Sequence, residues 1–381
     1  MFISRLILKN WRNFKCVDVL LGHRSFLVGP NACGKSNFLD AFRFLAAIAK
    51  AGGGLQRAVE ERGGLPKIRC LAARKSSIVE VAAEIKEQGT LKTWQYAIGV
   101  KQQNRKNCGP YLAYEKVYCD DRILVDRPTQ EDRQDPLRLS QTHLEQIIAN
   151  SNFRIIAKHL ASVYYHHLVP QLIRHPSAFA GPGLPNDPHG QYFLEKVAQT
   201  PMRTKNARMK RIGQVLRVAV PQLKNLTDTR DQNGTPHLEA VYKHWRPNAG
   251  KQREDQFSDG TLRLIGLLWS CMEKNSLLLL EEPELSLNAS IVQKLPFLMQ
   301  SLQNKSRLKR QLIMSTHSSD LLNSGVNLDE ILLLLPGKEG TEVQLASSIT
   351  DIQTCLARGK TPSEAVLAHL RPPELEQLDL F

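Results

Sequence analysis

Hydrophobic and polar residues change rhythm several times along this chain, and each change predicts a different kind of element. From Phe2 to Lys9 apolar and polar residues alternate, the period of a strand with one buried face. The corner Asn10-Trp-Arg-Asn-Phe14 leads into a second strand pair that closes with Ser25-Phe-Leu-Val28. Asn37 to Leu45 then spaces its apolar residues as an amphipathic helix does. Short strand-like runs follow at Ile78–Lys86, Thr93–Val100, Tyr111–Cys119 and Arg122–Val125, with turn signals between them at Gln88-Gly89 and Cys108-Gly109-Pro110. They predict an antiparallel sheet flanking the core.

From Pro136 to Leu223 the pattern becomes helical and polar, broken by a Gly/Pro-rich loop at Ala180–Pro188, and predicts an inserted helical module. After Leu238–Trp245 the chain alternates helices with wholly apolar strands, as a parallel sheet covered on both faces requires. The expected fold class is therefore α/β. Its predicted divisions are an N-terminal lobe (1–135), a basic helical insertion (136–224), a C-terminal lobe (225–346) and a terminal helix with a tail (347–381). The last helix should begin at Thr361, with Pro362 at its first position and Glu364 completing a capping box.

Two element boundaries carry chemistry. Gly29-Pro-Asn-Ala-Cys-Gly-Lys-Ser36 fits the template G-x-x-x-x-G-K-S/T, a turn whose backbone N–H groups face phosphates, and lies between a predicted strand and a predicted helix. Gly29, Asn31 and Gly34 belong to that ATP-binding turn. Lys35 can reach the β and γ phosphates, the Ser36 hydroxyl can ligate Mg²⁺, and the helix start adds a positive dipole end. The second boundary is Leu277-Leu-Leu-Leu280, a buried-strand run that delivers Glu281 and Glu282 to its C-terminal edge, where α/β sheets bind ligands. Successive side chains on a strand diverge, so Glu281 is expected in the Mg²⁺ shell while Glu282 orients or deprotonates the attacking water.

Composition narrows the partners. Lys plus Arg number 51 against 37 Asp plus Glu, a net charge of +14 that suits a polyanion. Between Ser151 and Val220 ten basic residues face only Asp187 and Glu195, which points to nucleic-acid contact through Arg203, Lys205, Arg208, Lys210 and Arg211. The seven cysteines are scattered without any C-x-x-C pair, so neither a disulfide framework nor a zinc site is expected; Cys33 reads as a small filler within the phosphate loop. No apolar run approaches about 18 residues and the N-terminus lacks a signal-like stretch, so a cytoplasmic location without a membrane partner is expected.

Four stretches taken together, GPNACGKS, FSDGT at Phe257–Thr261, LLLLEEPE at Leu277–Glu284 and STH at Ser315–His317, resemble an ABC-type ATPase head. The clan is the one containing the structural-maintenance-of-chromosomes, double-strand-break-repair and overcoming-lysogenization-defect ATPases. Within it the chain is most similar to stand-alone members with an S-D-G-T-x-R signature. The resemblance implies an ATP-dependent homodimer in which Ser258, Asp259 and Gly260 of one head touch the γ-phosphate bound by Lys35 of its neighbour. It also implies a switch histidine, His317, that senses the γ-phosphate, and an arginine near the nucleotide, Arg12. Glu281 stands where most of the clan has Asp. The insertion is far shorter than the coiled coils of the chromosome-structuring relatives.

Only 35 residues follow Ala346, too few for the nuclease module of some relatives, so the expected activity is ATP hydrolysis alone, with any cutting left to a separate effector nuclease. Gln377-Leu-Asp-Leu-Phe381 resembles at all five positions the pentapeptide that docks on the bacterial sliding clamp. The expected setting is a DNA-linked process, anti-phage defence first and replication-linked repair second. A transporter subunit and a non-hydrolysing scaffold are the remaining readings.

Overall fold

In a computed structural model that describes residues 1–73, 77–102, 109–176, 187–243, 250–304 and 310–370, the N-terminal alternation becomes β1 (Phe2–Trp11), paired antiparallel with β2 (Phe14–Leu20). The four further alternating runs become β4 (Val79–Lys86), β5 (Thr93–Gln102), β6 (Pro110–Cys119) and β7 (Arg122–Arg127), which complete a six-stranded sheet in the order β2-β1-β4-β5-β6-β7. Every pairing in it is antiparallel, as the hairpin turn signals predict.

A second six-stranded sheet runs β15-β14-β3-β13-β12-β8. Its strands are β3 (Arg24–Val28), β8 (Tyr164–His166), β12 (Leu277–Glu281), β13 (Gln311–Ser315), β14 (Ile331–Gly337) and β15 (Gly340–Leu345), parallel except for the β14–β15 pair. Its apolar strands are buried on both faces. Leu27, Leu277, Leu279, Ile313 and Leu332 join one core with the phosphate-loop helix Lys35–Ala49 and the antiparallel sheet. Their neighbours Phe26, Leu278, Leu280, Leu312 and Leu333 join a second core with the signature helix Asp259–Cys271. Alternate strand residues point to opposite faces, so a strand covered on both sides must be apolar throughout. Gln311 locks the two sheets together: its amide accepts from the Ile3 N–H at 2.9 Å and donates to the Ile3 carbonyl at 2.7 Å.

The stretch expected to be a helical insertion is woven into both cores. The helix Arg154–Ala161 packs on the phosphate-loop helix, with Ile156 and Leu160 in the first core. Tyr164–His166 forms the edge strand of the parallel sheet, in register with Leu278–Leu280. Among the described residues of this stretch the longest helix is Met202–Ala219, with 18 residues. It packs against a separate three-stranded sheet, β9 (Leu223–Arg230), β10 (Pro236–Tyr242) and β11 (Lys251–Arg253). A three-residue strand of Tyr and His has neither length nor alternation, so its pattern gave no strand signal.

The capping box at Thr361 is present, with the Thr361 N–H donating to Glu364 at 2.8 Å at the start of the helix Pro362–Leu370. Gln377, Leu378, Asp379, Leu380 and Phe381 lie outside the described residues. Among the described residues, no helix is long and apolar enough to cross a membrane.

Candidate functional site: three loops at one sheet edge

Because β3, β12 and β13 are parallel neighbours, their C-terminal ends bring three loops to one edge of the sheet. The loop Gly29–Gly34 follows β3, Glu282 follows β12, and Thr316-His317 follows β13. The phosphate loop is held from outside. Asn13 Nδ2 donates to the Cys33 carbonyl at 2.7 Å and to Thr341 Oγ1 at 2.9 Å, while Thr341 Oγ1 donates to the same carbonyl at 2.8 Å. Gly34 has φ +101°, and a β-carbon there would lie 2.1 Å from the Asn13 side chain, so the turn requires glycine twice over. Cys33 is buried beneath the loop, and burial pushes its thiol up, in keeping with a filler.

Lys35 folds its ammonium back on the loop, donating to the carbonyls of Gly29 at 3.0 Å and Pro30 at 3.1 Å. Burial draws its pKa below the ordinary lysine value, and the charges of Glu282, Glu281 and Glu284 oppose that shift. Asn31 is exposed at the rim of the loop. Arg12 does not reach for the loop: it binds Asp40 of the phosphate-loop helix, with Nη2 at 2.8 Å, corner to helix. Burial would raise the Asp40 pKa, but Arg62, Arg12 and Arg43 outweigh it and hold the carboxyl below its usual range.

The two glutamates diverge as the strand geometry requires. Glu281 accepts hydrogen bonds from the Ser36 hydroxyl and from the Tyr165 hydroxyl, one on each carboxylate oxygen. Glu282 takes φ +43°, a left-handed conformation costing about 1–2 kcal/mol in a residue with a β-carbon, pinned by its N–H to the Ser315 carbonyl at 3.2 Å. That turn sends its carboxylate away from Glu281 and to within 3.2 Å of His317 Nε2. Burial and then Lys35 lower the His317 pKa, with Glu282 opposing.

Ser36 and Glu281 offer adjacent hard oxygen ligands, the donor chemistry that Mg²⁺ takes, beside a glycine cradle and a lysine that suit phosphates. Three further residues had no role assigned from the sequence. Glu284 accepts from Thr316 Oγ1 at 2.6 Å and the His317 N–H at 3.1 Å, joining the acidic strand end to the switch strand. Burial raises its pKa. Asn13 lies next to Arg12 in the corner already singled out, and Glu284 lies in the E-E-P-E run, so adjacency to a motif was their only signal. Tyr165 had none.

The signature residues stand at the start of their helix. Ser258 caps it, with Oγ accepting from the Thr261 N–H at 3.2 Å, and Asp259 is held by Arg174 at 2.6 Å. Gly260 packs against the loop after β12, where a β-carbon would meet the Ser286 carbonyl at 2.4 Å. These contacts, with a further one from Gln171 to Asp259 at 3.5 Å, are made outside the phosphate loop.

The five basic residues expected at nucleic acid divide. Arg203, Lys210 and Arg211 are exposed on the helix Met202–Ala219. The other two are half-buried and engaged within the fold: Lys205 pairs with Asp228 at 2.5 Å, and Arg208 lies 4.8 Å over the Trp269 ring while donating to the Met272 carbonyl. Positions 205, 208, 209, 212 and 216 share the inward face of a helix with 3.6 residues per turn, where Met209, Ile212 and Leu216 are buried.

Solved structures that share this architecture include two SMC heads. One is an SMC head bound to the C-winged helix domain of ScpA, at 14% identity and a TM-score of 0.57, covering 92% of this chain and 100% of that one. The other is an SMC head with an extended coiled coil bound to the C-terminal domain of ScpA, derived from Pyrococcus furiosus, at 14% identity and a TM-score of 0.52, covering 94% and 100%. No curated protein matches the chain in sequence. The fold is thus that of an SMC-like, ABC-type ATPase head. A family model described as an AAA domain, putative AbiEii toxin, type IV TA system, matches residues 24–323, and this chain belongs to that family.

Proposed function

We propose that this chain hydrolyses ATP with Mg²⁺ and that ATP closes two copies of it against each other, with hydrolysis reopening them. The observation that carries the reading is the pairing at one sheet edge of Ser36 with Glu281 and of Glu282 with His317. Lys35 exchanges its loop carbonyls for phosphate oxygens. Ser36 and Glu281 hold the metal, which supplies positive charge against the phosphates. Glu282, with no ligand role, accepts a proton from the attacking water or orients it, and His317 holds that carboxylate in place. Ser258, Asp259 and Gly260 serve the phosphate bound by the second copy.

The family description, a putative AbiEii toxin of a type IV TA system, supports a defence setting; in this reading nucleotide state controls a DNA-linked process through a separate effector nuclease, as the resemblance of the S-D-G-T and E-E-P-E stretches implies. The exposed basic residues of the helix Met202–Ala219 supply the DNA-facing surface in this reading. Glu282→Gln removes the base and leaves the phosphate loop and signature intact, so it should trap an ATP-bound dimer. Lys35→Ala should prevent closure. Size analysis with ATP and Mg²⁺ reads both, and an unchanged size distribution for Glu282→Gln together with undiminished hydrolysis would remove the two-head mechanism.

A further inference from the structure

Tyr165 sits in the stretch whose pattern gave no strand signal, yet it touches the centre of the site. The parallel register of β8 with β12 sets Tyr165 beside Leu279. Glu281 lies two residues beyond Leu279 and so projects from the same face of the sheet, the face covered by the phosphate-loop helix. The phenol therefore reaches along that face to one oxygen of Glu281 while Ser36 takes the other. The ring is itself fixed. The Arg43 guanidinium of the phosphate-loop helix lies 4.2 Å over it, and Arg43 is in turn 3.8 Å from Asp40, the carboxylate that Arg12 and Arg62 hold.

A glutamate has one more rotatable bond than an aspartate, so a metal ligand of this length has more conformations to lose before it can bind. A hydrogen bond at one oxygen removes that freedom and leaves the other oxygen aimed at Ser36. We propose that Tyr165 is a positioning residue that orients Glu281 as a Mg²⁺ ligand and so sets the metal affinity of the ATP site. The inference rests on the ATPase reading above. It accounts for the use of Glu at this position through a partner on the neighbouring strand, and it gives β8 a chemical role beyond extending the sheet.

Tyr165→Phe removes the hydroxyl and keeps the ring under Arg43. Binding of a fluorescent, non-hydrolysable ATP analogue should be titrated with Mg²⁺, and Mn²⁺ binding followed by electron paramagnetic resonance in the presence of the same analogue. The variant should need about tenfold more metal for half-saturation, the usual effect of losing a partner that orients a metal ligand. Its metal-free nucleotide affinity and its melting temperature should stay close to wild type. Arg43→Gln, which frees the ring, should shift the metal midpoint in the same direction by less. If wild type and Tyr165→Phe titrate at the same Mg²⁺ and Mn²⁺ midpoints, the positioning role is overturned and the ATPase reading stands. If the wild type binds no nucleotide in a metal-dependent way, both fall.

Discussion

Glu284 joins the two halves of the catalytic edge, and its removal should separate catalysis from nucleotide binding. Oε1 accepts from Thr316 Oγ1 at 2.6 Å and from the His317 N–H at 3.1 Å, whereas Oε2 has no hydrogen-bond partner among the described residues. Hydrogen bonds to a carboxylate contribute about 1.5–3 kcal/mol each, but deleting the carboxylate that accepts these two also relieves the desolvation of a buried acid. Glu284→Ala should therefore cost about 2 kcal/mol net. Part of that loss falls on the backbone of His317, whose ring holds Glu282 at 3.2 Å. With tenfold in rate for each ~1.4 kcal/mol, kcat should drop about 5- to 25-fold while the ATP dissociation constant, set by the phosphate loop, changes little. Glu284→Gln keeps an acceptor oxygen toward Thr316 and His317, so it should retain most of the activity. Steady-state hydrolysis at saturating ATP, nucleotide binding and urea unfolding measure the three quantities separately. A Glu284→Ala protein that loses stability but keeps the wild-type kcat would refute the coupling, and a Glu284→Gln protein as inactive as Glu284→Ala would refute the acceptor argument.

Neutralising Arg203, Lys210 and Arg211 together should lower the salt slope of DNA binding by about 2.7, at ~0.9 per phosphate contact, whereas neutralising Lys205 and Arg208 should lower the melting temperature and leave the slope unchanged; equal slopes for the two sets would contradict the assignment of faces. Burial lowers the His159 pKa from 6.5 to about 4, so the folded state binds its proton later than the unfolded chain does, and the associated stability is complete above pH 6.5 and lost as pH falls toward 4. His159→Leu should remove that dependence, flattening the acid limb by about 1.4 kcal/mol per pH unit in this window; urea unfolding at pH 7, 6 and 5 reads it, and an unaltered slope would count against the assignment.

Much of the site was legible before the fold because its chemistry is carried by short contiguous runs. The turn Gly29–Ser36 needs glycine at φ +101°, a lysine and a hydroxyl at fixed spacing, and local backbone geometry alone imposes that order. The wholly apolar strands announced a sheet covered on both faces, since both sets of alternating side chains are buried. The capping box at Thr361 is equally local. Tertiary structure decided what no run could encode. Tyr165 reaches Glu281 across 116 positions of chain, and Asn13 grips the phosphate loop together with Thr341, 328 positions away from it, through contacts that exist only once strands pair. Helical periodicity, fixed by which face found a core, turned Lys205 and Arg208 inward and left Arg203, Lys210 and Arg211 in solvent. Charge in the sequence counts residues, whereas burial decides which of them are free to bind. The covalent order wrote the parts of the candidate site; the parallel register of β3, β13, β12 and β8 brought their ends to one edge, because hydrogen-bonded neighbours in a sheet are chosen by packing and not by distance along the chain.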